Sequence, residues 1–291
     1  MVFRIILLCI LGSSLSSCKL SEREVMVPAY IYINKPKFVT NSDNSQGFAS
    51  AMINDLWLFD NEIIRGLYAV NAKVPVQREG ITNIRLTNGV KGDGNGEQRI
   101  IYPMYTSYTQ VDTLVPNKTD TVTATFTYLE NAVFPFIEDY DGNGTRFEFN
   151  PTLKQIGDTV IRDNGPGAWL PGNNSGRVEL KSATQGAILE MYSQVYTKWP
   201  QFTPFFLEMD YKGNIPITVG LYATNPAGET SQFPMFITRP IENWNKLYLN
   251  MEAEINKRGA GIQYRLFFRF SKGSVANPEA WLDNIKIVYL D

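Results

Sequence analysis

Apolar and polar side chains alternate along much of this chain with a period of two residues. In the stretch 205–212, apolar side chains at every second position oppose Glu208 and Asp210. The stretch 262–270 repeats the pattern, with two arginines among its polar positions. Because successive residues of a strand point to opposite faces, each stretch predicts a strand with one buried and one solvent-exposed face. Similar runs recur and helical periodicity is hard to find, so the pattern predicts an all-β chain.

Turn-forming Gly, Asn and Pro residues divide these runs into two groups. About seven strands over 25–130 fit an immunoglobulin-like or transthyretin-like sandwich. Within that group, DLWLFD and IIRGLYAV predict a hairpin with its turn at Asp60-Asn61. The strands over 134–291 suffice for an antiparallel jelly roll. The sequence therefore predicts two β-sandwich domains, each long enough to bury its own core.

The first residues of the chain have the features of a secretory leader. Arg4 precedes an apolar run over 5–11, and small residues follow up to Cys18. The run is too short to span a bilayer as a helix. Leu-Ser-Ser-Cys resembles the bacterial lipobox, which implies cleavage before Cys18 and its diacylation. The interpretation is a leader over 1–17 and a lipid-anchored tether over 18–24; a leader that happens to contain a cysteine is the alternative.

Composition excludes several kinds of chemistry. The chain has two cysteines and no histidine, and Cys9 would leave with the leader. A disulfide in the mature chain, zinc ligation by His or Cys, a Ser-His-Asp triad and a Cys-His dyad are therefore all excluded. The 27 basic and 29 acidic residues nearly balance, so neither nucleic acid nor an anionic membrane surface is indicated as a partner. We expect a protein that binds and does not catalyse.

The stretch EDYDGNGTRFEF begins like a calcium-binding loop. An EF-hand also needs flanking helices and a bidentate carboxylate at its twelfth position. Counted from Asp139, that position is Asn150, and both flanks have strand character. Gly and Asn tolerate positive φ, so we interpret DGNG as a tight turn between strands. KGDGNGEQ repeats this composition without a calcium pattern.

Several motifs over about 134–291 carry a family resemblance. They are Glu138-Asp139-Tyr140, Trp169 after a Gly-rich loop, VGLY, WNKLYL and a closing LDNIKI. Together they resemble jelly-roll modules of the carbohydrate-binding, MAM and choice-of-anchor type. The whole chain resembles Bacteroidota lipoproteins that join such a module to an Ig-like one, and Gly80 to Gly89 is similar to PEGA-type modules. Lys19, Glu22 and Glu24 loosely resemble the surface-export signal of those lipoproteins, which implies an outer-membrane protein facing the cell exterior.

The resemblance also implies a place for a cation. In such modules the opening acidic residue and the Asp of the closing Asp-Asn-Ile can hold a structural ion. Carried over to this chain, the resemblance implies that Glu138 or Asp139, together with Asp283, holds one Ca²⁺. Carboxylate oxygens suit this hard cation. The alternative is that Asp283 accepts backbone hydrogen bonds at a bulge while Glu138 is solvated. No other cofactor is indicated.

Three functions are weighed. The first is an accessory subunit that docks onto an outer-membrane β-barrel or other envelope protein, because YPMYTSYTQ and 192–206 hold more aromatics than edge strands need. The second is glycan binding by exposed aromatic rings, with Trp169, Tyr196, Trp199 and Trp244 as candidates. The third is a glycosidase using carboxylates two apart on a strand, Glu208 with Asp210 or Glu252 with Glu254. We favour the first, with glycan binding as the alternative.

Overall fold

The structure is a computed structural model that describes residues 26–92, 98–169, 172–182 and 186–291. The predicted leader, the tether and the lipidated Cys18 lie outside these ranges, as does most of the turn in KGDGNGEQ. Those predictions therefore stay predictions. Within the described ranges, no helix combines the length and the apolar character needed to cross a membrane.

The N-terminal sandwich packs two groups of strands around one apolar core. Its strands are β1 (Ala29–Ile33), β2 (Lys37–Phe38), β3 (Asp55–Asp60), β4 (Ile63–Ala69), β5 (Lys73–Val76), β6 (Gly80–Lys91), β7 (Arg99–Ile100), β8 (Tyr108–Leu114), β9 (Thr119–Val122) and β10 (Thr125–Phe126). One sheet has the order β5-β1-β9, and β10 pairs with β2. The other sheet has the order β4-β3-β6-β7, with β8 also paired to β6.

The predicted hairpin is present, with its turn one residue later than expected. Asn61 and Glu62 connect β3 to β4, and both have positive φ, 44° and 64°. That is the geometry of the type I′ turns that match the twist of paired strands. Asp60 belongs to β3 because it pairs with Ile63 of β4 and Ile84 of β6. Its buried carboxylate accepts a hydrogen bond from Thr82 and pairs with Arg78.

The C-terminal sandwich consists of two facing sheets. Its elements are β11 (Ala132–Glu138), β12 (Glu148–Phe149), β13 (Thr159–Asp163), β14 (Ser175–Glu179), β15 (Ile188–Tyr192), β16 (Phe205–Gly213), β17 (Ile217–Thr224), β18 (Thr230–Ile237), β19 (Ile241–Asn250), α1 (Glu252–Asn256), β20 (Gln263–Ser271) and β21 (Glu279–Leu290). The β16 sheet has the order β13-β14-β21-β16-β19, with β11 also paired to β21. The β20 sheet has the order β12-β15-β20-β17-β18. The predicted all-β class and sandwich architecture are confirmed.

The apolar faces predicted for β16 and β20 are buried, as expected. Phe205, Leu207 and Met209 of β16 meet Leu266 and Phe268 of β20 in the core between the two sheets. Each such side chain contributes about 1.5–3 kcal/mol when it leaves water. The period-two pattern therefore fixes how the two sheets face each other.

The polar face of β16 is not in water, and this part of the prediction is wrong. Glu208 and Asp210 are buried against the N-terminal sandwich. The hydroxyls of Tyr102 and Tyr128 donate hydrogen bonds to Glu208, at 2.7 and 2.9 Å. Ser50 donates a hydrogen bond to Asp210. A period of two shows which face of a strand is polar, but not what covers that face.

Aromatic rings complete the interface between the two sandwiches. Tyr102 and Tyr105 come from YPMYTSYTQ, which was expected to supply a partner surface, and both are buried here. The ring of Tyr102 meets that of Phe206 edge-on, with 5.0 Å between centroids. Phe206, Tyr248 and Val288 of the β16 sheet belong to the same apolar cluster as the N-terminal core. The interface is thus continuous with that core.

Neither carboxylate pair weighed for a glycosidase forms an exposed pair of carboxylates. Glu208 and Asp210 are enclosed as described above. Glu252 and Glu254 lie on α1, where residues two apart do not share a face. Glu254 forms an ion pair with Arg258 one turn later.

Candidate functional site

The outer face of the β20 sheet carries an open cleft of about 370 Å³. This face is built from the polar positions that alternate with the core residues of β15, β17 and β20. Its lining combines aromatic, hydroxyl and amide groups with one arginine: Asn150, Tyr192, Val195, Tyr222, Thr224, Thr230, Gln263, Tyr264 and Arg265. A concave site with a few convergent polar groups is the usual form of a ligand site.

Strand register brings the polar groups of the cleft together. Arg265 of β20 lies opposite Tyr222 of β17, which in turn lies opposite Gln232 of β18. Glu190 of β15 lies opposite Arg269 of β20. Residues far apart in sequence therefore form two rows on one face of the sheet, separated by the row that contains Phe267.

A buried carboxylate holds these rows in place. Glu190 is fully buried and accepts hydrogen bonds from Tyr222 (2.6 Å), Asn150 (2.9 Å), Gln232 (3.1 Å) and Arg269 (2.8 Å). Burial alone would raise the pKa of Glu190, but these hydrogen bonds and the Arg269 charge hold it below its usual value. Glu190 therefore stays ionised and keeps its four donors oriented.

Further bonds connect the donors to one another. Arg269 donates to the amide oxygen of Gln232 at 2.8 Å, and the amide nitrogen of Gln232 donates to the Tyr222 hydroxyl at 2.8 Å. Burial and the hydrogen bond to Glu190 raise the pKa of Tyr222 to about 12. The phenol is therefore neutral at physiological pH. A network in which each group has several partners is rigid before any ligand arrives.

Two aromatic rings form part of the cleft wall. The rings of Tyr192 and Tyr222 are nearly perpendicular, with centroids 6.4 Å apart. The guanidinium of Arg265 lies 4.6 Å from the centroid of the Tyr192 ring. The ring of Phe267 packs against that of Tyr222 in a tilted arrangement, with 5.2 Å between the ring centroids. The cleft thus presents ring surface and hydrogen-bonding groups together.

Two of the four predicted aromatic residues contact Tyr264, one of the residues that line the cleft. Tyr196 exchanges backbone hydrogen bonds with Tyr264, which lines the cleft, at 2.8 Å in each direction. The indole of Trp199 stacks on the ring of Tyr264 at 4.7 Å with an interplanar angle of 5°. Tyr196 and Trp199 are half-buried against the core. They do not line the cleft.

The other two lie with the β16 sheet, on the opposite side of the sandwich. Trp169 is half-buried; its backbone N–H donates to Ser175, and its ring lies 6.0 Å from that of Phe48. Trp244 lies on β19, and the ammonium of Lys212 is 5.3 Å from its ring centroid. The four candidates therefore do not form one platform.

The predicted cation residues are each bonded within the chain. Glu138 is buried, so it is not solvated as the alternative expected. Its carboxylate accepts hydrogen bonds from the backbone N–H groups of Tyr140 and Arg146. Asp139 accepts a hydrogen bond from the backbone of Asp141. These bonds organise the DGNG segment, where Gly144 has a φ of 95°.

Asp283 sits at a break in strand register. It is buried. Its carboxylate accepts hydrogen bonds from the Ser175 hydroxyl and from the backbone N–H of Asn284, both at 2.6 Å. Asn284 has a φ of 47°. No group of three or more His, Cys, Asp or Glu side chains in the described part of the chain could hold a metal ion. The geometry thus fits the alternative in which Asp283 supports a bulge. Calcium binding stays a prediction.

The residues that build the cleft were not singled out from the sequence. The alternation in 262–270 does place Arg265 and Arg269 on the polar face. Tyr222 belongs to VGLY, and Glu190 to a short strand, but nothing in the sequence pairs these strands. The register of four strands is the missing information.

Comparisons with known proteins give a likeness in fold. No protein-family profile matches the chain, and no curated protein matches it in sequence. Among solved structures, the chain is similar to the CBM22-1 xylan-binding domain of Xyn10C from Paenibacillus barcinonensis. The sequence identity is 11%, the match covers 56% of this chain and 98% of that chain, and the TM-score is 0.41. A structure of carbohydrate-binding modules from the β-sandwich superfamily matches with 12% identity, 91% and 99% coverage, and a TM-score of 0.40.

A third similar structure is the enzymatically active domain of tailspike protein 4 from bacteriophage CBA120. It matches with 12% identity, 60% of this chain and 25% of that chain covered, and a TM-score of 0.40. Carbohydrate-binding modules are thus among the structural neighbours of this chain. Similarities of this size carry no argument about what the chain binds.

Proposed function

We propose that this protein binds a carbohydrate chain in the cleft of the β20 sheet and does not catalyse its cleavage. The observation that carries the proposal is the network around Glu190. It fixes Tyr222, Gln232 and Arg269 beneath an open cleft before any ligand is present. Glycan binding, the alternative in the sequence analysis, therefore becomes the leading function.

The chemistry of the cleft suits a sugar. A pyranose ring has apolar C–H faces that pack on aromatic rings, and its hydroxyls bind amide, hydroxyl and guanidinium groups. Tyr192 and Tyr222 supply the rings. The amide of Asn150 and the hydroxyls of Thr224 and Thr230 are the polar groups around them. Rigid groups lose little conformational entropy on binding, which favours affinity.

Cleavage of a glycosidic bond ordinarily uses two carboxyl groups flanking the bond. None of the described residues that line the cleft is acidic. Glu190 lies beneath the cleft, is fully buried, and has its two oxygens occupied by four donors. This arrangement supports binding as the function.

We further propose that the protein is lipid-anchored at Cys18 in the outer membrane and faces the cell exterior. The support is the lipobox-like sequence and the acidic residues that follow it. An anchored glycan-binding protein would hold polysaccharide near the cell surface.

A second candidate is the accessory subunit of an envelope complex. One observation favours it: the outer face of the N-terminal β6 and β8 strands exposes Ile81 (77%) and Val111 (70%). These side chains are diagonal neighbours, because Ile81 pairs with Thr113 while Val111 pairs with Asn83. Exposed apolar groups that lie together are typical of protein interfaces. Co-purification of a stoichiometric envelope protein, lost in Ile81→Asp, would support this candidate.

The glycan proposal is tested on an array of plant, algal and bacterial oligosaccharides with the purified full chain. We expect wild type to bind a defined set of glycans and Tyr192→Ala to lose them. Tyr32→Ala is the matched control, because Tyr32 is a half-exposed tyrosine on β1 of the N-terminal sandwich. Absence of binding, or equal binding by Tyr192→Ala, would overturn the proposal.

A further inference from the structure

We propose that the cleft selects glycans that carry a negatively charged group, and that Arg265 binds the carboxylate of a uronic acid. This inference rests on the proposed glycan binding and names the ligand class of that site.

The cleft lining is positively charged. Arg265 is the one ionised side chain among the described residues that line it, and the others are neutral tyrosine, threonine, amide and aliphatic side chains. A site of this kind attracts an anion and disfavours a cation. A neutral sugar can accept hydrogen bonds from the guanidinium, but a carboxylate forms an ion pair with it as well.

The two charges beneath the cleft cancel each other. Glu190 and Arg269 form an ion pair at 2.7 Å, and the carboxylate is fully buried. Arg269 also donates a hydrogen bond to Gln232, and Glu190 also accepts hydrogen bonds from Tyr222 and Asn150. The pair therefore orders the floor of the cleft and leaves Arg265 as the charge that a ligand meets.

Arg265 is oriented but weakly neutralised. Its guanidinium lies on the ring of Tyr192, at 4.6 Å from the centroid, which limits its orientations. Among the described residues its one ion pair is with Glu148, at 3.6 Å, and the Glu148 side chain is 67% exposed. Such an exposed pair contributes little, because water screens it. A ligand anion can therefore replace Glu148 at small cost.

The guanidinium also has the right shape for this role. Its N–H groups form a planar fork that matches a carboxylate, with two parallel hydrogen bonds. Register places Arg265 opposite Tyr222 on the neighbouring strand. A sugar ring packed beside Tyr222 would thus bring a substituent to Arg265. Ring contact and charge recognition would act on one sugar unit or on adjacent units.

The test measures affinity of the full chain for matched acidic and neutral oligosaccharides by isothermal titration. The acidic probes are oligomers of galacturonate, mannuronate and guluronate, together with glucuronate-branched xylan. The neutral probes are the methyl esters of the same oligomers and unbranched xylan. Sulfated galactans, paired with the desulfated chains, form a third arm that distinguishes sulfate from carboxylate.

We expect at least one uronate probe to bind at least about ten-fold more tightly than its ester, since hydrogen bonds to charged groups are the stronger ones. Arg265→Gln should bring the acid and its ester to about equal affinity. Glu148→Gln should strengthen uronate binding, because it removes the competing carboxylate. Arg85→Gln, an arginine paired to Glu62 in the N-terminal sandwich, is the control and should change nothing.

Each outcome has one meaning. Equal binding of acid and ester, or an unchanged ratio in Arg265→Gln, overturns the anionic selectivity and leaves glycan binding in place. Binding of sulfated chains without uronates assigns the anion as sulfate and overturns the carboxylate. Failure of every probe, acidic and neutral, overturns the proposed function itself.

Discussion

The ammonium of Lys246 lies 3.0 Å from the carboxylate of Glu208, in a pair that solvent does not reach. The pair is located where the β16 sheet meets the N-terminal sandwich. Burial disfavours the charged lysine, but Asp210 and Glu208 outweigh that effect and raise the pKa of Lys246 above its usual value. Lys246 is thus ionised inside the protein, next to the Glu208 carboxylate.

Lys246→Met should destabilise the protein by about 3–5 kcal/mol, because it leaves Glu208 buried without its cation. The measurement is urea unfolding of the full chain. The control is Glu62→Gln, which breaks an ion pair with Arg85 whose carboxylate side is 63% exposed. That variant should change stability by at most about 1 kcal/mol. Similar losses in both variants would mean that the buried pair has no special role.

Gly220→Ala should disturb both stability and the cleft. A Cβ at this position would lie 2.2 Å from the backbone oxygen of Phe233 and 2.6 Å from the ring of Phe267. Overpacking of this kind costs about 1–3 kcal/mol. Phe267 packs against Tyr222, so glycan affinity should fall as well. Thermal unfolding and titration measure the two effects.

The matched control for that variant is Gly142→Ala, since nothing lies within 4 Å of a Cβ at Gly142. It should leave melting temperature and affinity unchanged. If Gly220→Ala behaves in the same way, the close approach of β17 to β18 and Phe267 is not as described.

Stability should depend on pH through Asp283. Burial raises the pKa of Asp283 to about 8, although hydrogen bonds from Ser175 and Asn284 act in the opposite direction. In an unfolded chain the pKa of Asp is about 3.9. The folded state therefore holds a proton that the unfolded state releases. The contribution of Asp283 is full below about pH 4 and is lost as pH rises through about 8.

The check is denaturant unfolding at several pH values for wild type and Asp283→Asn. Between about pH 4 and 8, wild type should lose up to about 1.4 kcal/mol per pH unit relative to the variant. The amide keeps an oxygen that can accept hydrogen bonds from Ser175 and Asn284. Parallel curves for the two proteins would show that Asp283 does not hold a proton in the fold.

Calcium gives a separate check on the cation prediction. Glu138, Asp139 and Asp283 each accept hydrogen bonds from within the chain. The alternative, in which Asp283 supports a bulge, predicts the same melting temperature with calcium and with a chelator. A calcium-dependent rise that Asp283→Asn abolishes would contradict this expectation and establish the cation site.

The sequence predicted local structure better than long-range contacts. Alternation correctly assigned the buried faces of β16 and β20, because burial of Leu207 or Leu266 follows from the strand period. It could not show that Tyr102 and Tyr128, 106 and 80 residues earlier, cover Glu208. A carboxylate in water and a carboxylate under another domain give the same pattern.

The candidate site shows the same limit. Trp199 was singled out because it is aromatic, and it proved to stack on Tyr264 beside the cleft. The groups that build the site are ordinary strand residues, and only the pairing of β15, β20, β17 and β18 brings them together. Glu190 and Arg269, for example, are 79 positions apart in the chain.

The central claim is that a glycan occupies the cleft of the β20 sheet. Its most direct test is the position of a bound oligosaccharide in a crystal structure of the complex, using the tightest ligand from the array. We expect a sugar ring in contact with Tyr192 or Tyr222, with Arg265 bonded to an acidic substituent. An oligosaccharide seated elsewhere, for example against Trp244 on the β16 sheet, would contradict it.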